Sequence, residues 1–223
     1  MQLLKSTGLV LGLALVVTAF LAVGSASAEP TKLCKVNEEK CSKANTYALS
    51  FENFKGATIT GTESSKLVMP GLFTVSCPTG KVAATLKETS GALVGEVAKW
   101  NSFSCAPAGN SCTLLPPKEI ETGYSAEVTA TSGGNGSFVI GGTPTLIANC
   151  TGSVKVTCTY NTTTMKFTVT GGPGGGEGKY PLLSTETVMA RVTALSSPSC
   201  PFNATYSLLY RMVEPGSSLF ITH

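Results

Sequence analysis

Among the side chains able to do chemistry here, the cysteines stand out: Cys34, Cys41, Cys77, Cys105, Cys112, Cys150, Cys158 and Cys200. Zinc sites need closely spaced Cys or His pairs, and the chain has no CxxC and a single histidine. An even cysteine count in that setting predicts a disulfide framework, which belongs to an oxidising compartment. Three pairs are close in sequence: Cys34 with Cys41, Cys105 with Cys112, and Cys150 with Cys158. Turn-forming residues between Cys105 and Cys112, and around Thr151-Gly152, would let the last two pairs close hairpins. Cys77 and Cys200 are then left to tie an early strand to a late one, a closure of about 4–5 kcal/mol in the chain-entropy picture.

Acid–base chemistry is thinly supplied. The sequence holds no Asp, all 13 acidic residues are Glu, and the one histidine is His223. A nucleophile–imidazole pair needs a histidine held by its surroundings, and zinc hydrolysis needs two or three. Calcium loops built on closely spaced Asp and Asn are likewise excluded. A pair of Glu carboxylates could still run glycoside hydrolysis, with Glu119, Glu121 and Glu127 as the candidates. Glu119 and Glu121 would share one strand face, although a solvated loop edge after Pro116-Pro117 explains them as well. Carbohydrate enzymes usually offer several aromatic platforms, and this chain has one Trp. A non-enzyme without cofactor or metal is the expectation. Trp100, beside Lys99 and Asn101, is the candidate ligand platform for stacking on a sugar ring; the competing reading places it in the core at a strand end.

The elements that must hold these residues read as strands. Thr, Val, Ser and Gly dominate, and only 13% of residues are charged. Period-two alternation is clearest over Lys81–Leu86, Ser153–Thr157 and Lys166–Thr170. Further strands are predicted over Ala57–Gly61, Leu72–Ser76, Ala92–Trp100, Ser125–Thr131, Leu146–Asn149, Thr187–Ala194, Ala204–Met212 and Leu219–Thr222. Their close spacing, with turn residues between, predicts an all-β, antiparallel, sandwich-like fold with little helix. The one helical turn expected is around Cys41, over Glu38–Asn45. The Gly-rich run from Gly171 to Gly178 lacks the Lys-Ser or Lys-Thr of a phosphate loop and reads as a connecting loop.

Residues 1–28 read as a removable signal peptide. Lys5 supplies the basic start, Leu9–Val23 the apolar stretch, and Ala26-Ser27-Ala28 the small-residue cleavage site. Residues 29–47 form a small cysteine-containing N-terminal segment, and 48–223 the β-sandwich-like domain, with two packed β subdomains as the variant. Dropping Lys5 leaves 15 basic against 13 acidic residues, a net +2 without a basic stripe. Nucleic acid is therefore not an expected partner, nor is a membrane once the signal is removed.

Phe73-Thr74-Val75-Ser76-Cys77, Trp100-Asn101-Ser102-Phe103-Ser104-Cys105 with Cys112, Val156-Thr157-Cys158-Thr159-Tyr160, and Cys200-Pro201 with Ala204-Thr205-Tyr206 form a further pattern. It resembles uncharacterised secreted, cysteine-containing, β-rich proteins of soil actinobacteria, over roughly Leu72 to Thr222. The resemblance implies secretion and a β-rich fold but no activity, and it leaves out the Cys34/Cys41 segment. The expectation is a non-catalytic secreted or cell-surface protein with a structural or adhesive role. A carbohydrate or cell-wall binding module is the alternative, and a Glu-based glycoside hydrolase the third reading; cell-wall polysaccharide or a surface protein is the expected kind of partner.

Overall fold

The computed structural model describes residues 29–47, 54–57, 65–89, 91–103, 105–107, 111–115, 124–151, 155–173, 181–212 and 218–223. Among them lie sixteen β-strands, two single 3-10 turns (Ser132–Gly134 and Thr193–Leu195) and no α-helix. The expected signal peptide, Glu119, Glu121 and most of the Gly171–Gly178 run fall outside these residues.

The first strands in chain order are β1 (Lys32–Cys34), β2 (Phe54–Ala57), β3 (Ser65–Met69), β4 (Phe73–Cys77) and β5 (Thr79–Glu88). The long β6 (Leu93–Phe103) is followed by the short β7 (Ala106–Pro107), β8 (Ser111–Leu115) and β9 (Ser125–Ala130). Next come β10 (Gly136–Gly141), β11 (Thr145–Thr151), β12 (Val156–Asn161) and β13 (Thr164–Thr170). The chain ends in β14 (Leu182–Arg191), β15 (Asn203–Met212) and β16 (Phe220–Thr222). Alternation puts one face of each strand in the core: along β13 burial switches at every residue, and β15 buries Ala204, Tyr206, Leu208, Tyr210 and Met212.

The architecture is all-β, antiparallel and sandwich-like, and its sheet closes on itself. Strands pair in the order β15-β2-β5-β6-β9-β10-β13-β14, and β14 pairs back onto β15. Two further arms grow from the same hairpin, β14-β12-β11-β8 and β15-β3-β4-β7. Both hairpin strands are long enough to serve two sheets. Leu182–Ser184 of β14 pair with β13, while Ala190 and Arg191 pair with β12. On β15, Thr205–Leu208 pair with β3, and Arg211 and Met212 with β2. Closure removes the edges that invite aggregation from the ring itself, so the large sheet ends only at the short β7 and at β8. The shared core packs Phe138 against Phe167, ring centroids 5.5 Å apart, and buries Tyr160, Tyr206 and Tyr210.

The N-terminal segment docks on the end of the chain. β1 pairs with β16 as a separate two-stranded sheet, and Leu33 and Ile221 enter the common core. Thr31, fully buried, donates its hydroxyl to the Gly91 carbonyl at 2.8 Å and accepts the Ala130 N–H at 3.3 Å. No helix forms over Glu38–Asn45. A single turn starts after Cys41, closed by the Asn45 and Thr46 N–H groups on the Ser42 carbonyl, and the Glu38 carboxylate accepts the Ser42 N–H at 2.7 Å. That bond, helped by the Asn45 amide, holds the Glu38 carboxyl below its ordinary pKa.

Strand register decides the disulfides. Cys34 is bonded to Cys41. Cys105 does not pair with Cys112: β7 lies along β4 with Ala106 opposite Ser76, so the register brings Cys105 to Cys77. Cys150 does not pair with Cys158, because on neighbouring strands they stand two positions out of register, Cys150 facing Val156 and Cys158 facing Ala148. Cys158 is bonded instead to Cys200, which is therefore not the partner of Cys77. Cys150 is itself disulfide-bonded, and the residue opposite it on β8 is Cys112.

Candidate interaction surface

Glu127 points outward from β9, between Val139 of β10 and Val94 of β6. The acidic residue diagonal to it is Glu96, which faces Ser125. The two carboxylates border a hollow of about 460 Å³ that also touches Lys87 and Thr85. Both are exposed. A paired-carboxylate mechanism relies on one carboxyl being withheld from water, so that its pKa rises above that of its partner.

The backbone of Trp100 lies in β6, opposite Val82, and its side chain is outside the described part of the structure. His223 is exposed, with its Nδ1 3.2 Å from the Glu29 carbonyl. Among the described residues no group of three or more Cys, His, Asp or Glu side chains is arranged to hold a metal, and no helix is long and apolar enough to cross a membrane.

A different place presents a built surface. Residues 192–202 join β14 to β15, and they carry two of the largest exposed apolar side chains, Phe202 at 78% and Leu195 at 62% exposure. The segment is fixed from several sides. It runs along β12 as a substitute strand: the Val192 and Ser197 N–H groups donate to the Thr159 and Thr157 carbonyls, both at 2.8 Å. Ser196 and Ser197 return the contact, their hydroxyls accepting the Thr159 N–H at 2.9 Å and the Thr157 N–H at 3.1 Å. The Cys158–Cys200 bond clamps the same stretch. Short polar side chains that bond the backbone locally suit such a segment, since they satisfy N–H groups that no strand reaches.

Arg191 organises the far end. Its guanidinium Nη1 donates to the Cys200 carbonyl at 2.5 Å and the Pro198 carbonyl at 3.2 Å, and the group lies 4.5 Å from the centroid of the Phe202 ring. One face of the phenyl ring is thus backed by a planar cation, a cation–π contact of about 0.5–1 kcal/mol at an exposed site. Below, the Tyr160 hydroxyl donates to the Pro201 carbonyl at 3.2 Å; burial pushes its pKa up to about 12 against the opposing pull of Arg191. The result is an aromatic side chain held out in water by a segment with little freedom to fold it away.

The sequence reading did not single out Arg191, Leu195 or Phe202. Cys200-Pro201-Phe202 offered a signal, because a cysteine and a proline restrict the backbone just before an aromatic residue. No protein-family model, no curated protein and no solved structure matches this chain.

Proposed function

We propose that this is a non-catalytic protein of the cell exterior with a structural or adhesive role, which makes contact through the segment between β14 and β15. The observation that carries the reading is the pinned display of Phe202 and Leu195. Large apolar side chains left in water cost solvation free energy, and binding surfaces concentrate their affinity in a few rigid aromatic and arginine anchors. Pre-organisation lowers the entropy lost on contact. The disulfides supply rigidity outside a reducing cytosol, and a signal peptide over residues 1–28 would deliver the chain there.

The test is retention of the oxidised full chain on intact cell envelopes and on insoluble polysaccharides, beside Phe202→Ala and Trp100→Ala. The expected result is binding to envelopes that Phe202→Ala reduces about ten-fold or more, the loss typical of an anchor residue. Retention on purified polysaccharide, abolished by Trp100→Ala and untouched by Phe202→Ala, would instead make the protein a carbohydrate-binding module. Equal retention of all three proteins would remove the β14–β15 segment from the account.

A further inference from the structure

The outer face of the β14–β15 hairpin, where β3 extends it, has a pattern of its own. Antiparallel register sets Val188 opposite Thr205, and Thr205 opposite Val68, so these three form one row across the three strands. The next row is Glu186, Ser207 and Lys66, again opposite one another in pairs. Lys66, Val68, Thr205 and Ser207 alternate with buried neighbours, and Glu186 and Val188 share the side of β14 opposite its buried Leu183 and Met189, so all six point outward. Val188 is 64% and Val68 38% exposed, and Glu186 and Lys66 are both exposed. The face is a β-branched strip whose adjacent row carries one negative and one positive end.

Two strand spacings separate Glu186 from Lys66, roughly 10 Å. At that distance in water they contribute little to each other, which leaves both charges free for an outside partner. Their arrangement specifies what that partner looks like. If the face is turned over about an axis running along β15, β14 falls over β3 and β3 over β14. Each row then maps onto itself: Val188 over Val68, Thr205 over Thr205, Ser207 over Ser207, and Glu186 over Lys66. Apolar meets apolar, and the opposite charges meet twice.

We infer that this face binds a second copy of the same chain, with β15 lying along the two-fold axis of a homodimer. Such an interface is isologous, since one self-complementary patch serves both subunits. Two sheets packed in this way keep their strands within about 30° of one another at a separation of about 10 Å, the ordinary aligned packing of a sandwich. The charge pairs fix the register, and the valine pairs supply the apolar contact. Only one orientation matches both, because a relative rotation of 180° in the plane of the sheet would set Lys66 over Lys66 and Glu186 over Glu186.

Sedimentation velocity of the full chain, with its disulfides formed, reads this directly across a concentration series. The wild type is expected to associate reversibly to twice the monomer mass, more weakly as salt is raised. Glu186→Lys alone and Lys66→Glu alone each place like charges opposite one another twice, and each should weaken association about ten-fold or more. The combined swap exchanges the two signs and should restore it. Both positions are exposed strand sites, so near-ultraviolet circular dichroism should remain that of the wild type. A wild type monomeric throughout the series, single variants that associate unchanged, or a double variant as weak as the singles would each overturn the assignment.

Discussion

Thr143 and Gly95 are placed under opposite backbone demands. Thr143, between β10 and β11, has φ +63°, a left-handed conformation costly for a β-branched residue. Its side chain is exposed, and its carbonyl accepts the Tyr124 and Thr145 hydroxyls. Gly95, in the middle of β6, has an ordinary extended backbone but no room: a Cβ there would lie 1.8 Å from the Thr85 carbonyl oxygen. Thr143→Gly should therefore raise stability by up to about 1 kcal/mol, the relieved strain less the added unfolded-state freedom. Gly95→Ala should lower it by about 3 kcal/mol, because backbone must move. Urea unfolding of the oxidised protein checks both, and a neutral Gly95→Ala would show that β5 and β6 are not held at this spacing. At this scale the sequence was legible for cysteine chemistry and for the scarcity of acid–base groups. It was mute about Phe202, whose type suits a core residue and whose exposure depends on Arg191 and on a segment bonded to β12.

Elements were legible wherever apolar and polar residues alternate. β13 carries Met165, Phe167 and Val169 inward between polar residues, and β15 repeats the pattern over ten residues. β3 escaped because Leu67, Val68 and Met69 are all apolar, so the period vanishes although only Leu67 and Met69 are buried. β10 begins and ends on glycine and follows Gly133-Gly134, a composition that reads as loop; its strand character comes from pairing with β9 and β13. The predicted Thr187–Ala194 strand starts earlier, at Leu182, and ends at Arg191, where the chain turns to run along β12. Disulfide partners were hidden for a related reason: they follow register between strands, which sequence proximity does not encode. Cys158–Cys200 closes 42 residues and should contribute about 4 kcal/mol in the chain-entropy picture. Replacing both cysteines with Ser should lower stability by up to that amount. It should also raise hydrogen exchange at Ser197 and Val192 above that of β10. Unchanged protection there would mean that the hydroxyl and backbone bonds to β12 hold the segment unaided.

The whole molecule is a sheet that closes through one long hairpin, with its two ends joined by β1 and β16. The scaffold staples its register with disulfides, and four of the five large apolar side chains exposed among the described residues fall in two places: Leu195 and Phe202 on the pinned segment, and Val68 and Val188 on the strip beside it, with Val36 of the N-terminal segment the fifth. All of it presumes a protein that acts outside the cell. Intact mass of the protein recovered from the medium of a secreting culture, before and after treatment with a thiol reagent, tests that most directly. The account predicts a chain beginning at Glu29 that takes up no reagent until it is reduced. A chain retained in the cell with residues 1–28 attached, or one whose cysteines react without reduction, would contradict it.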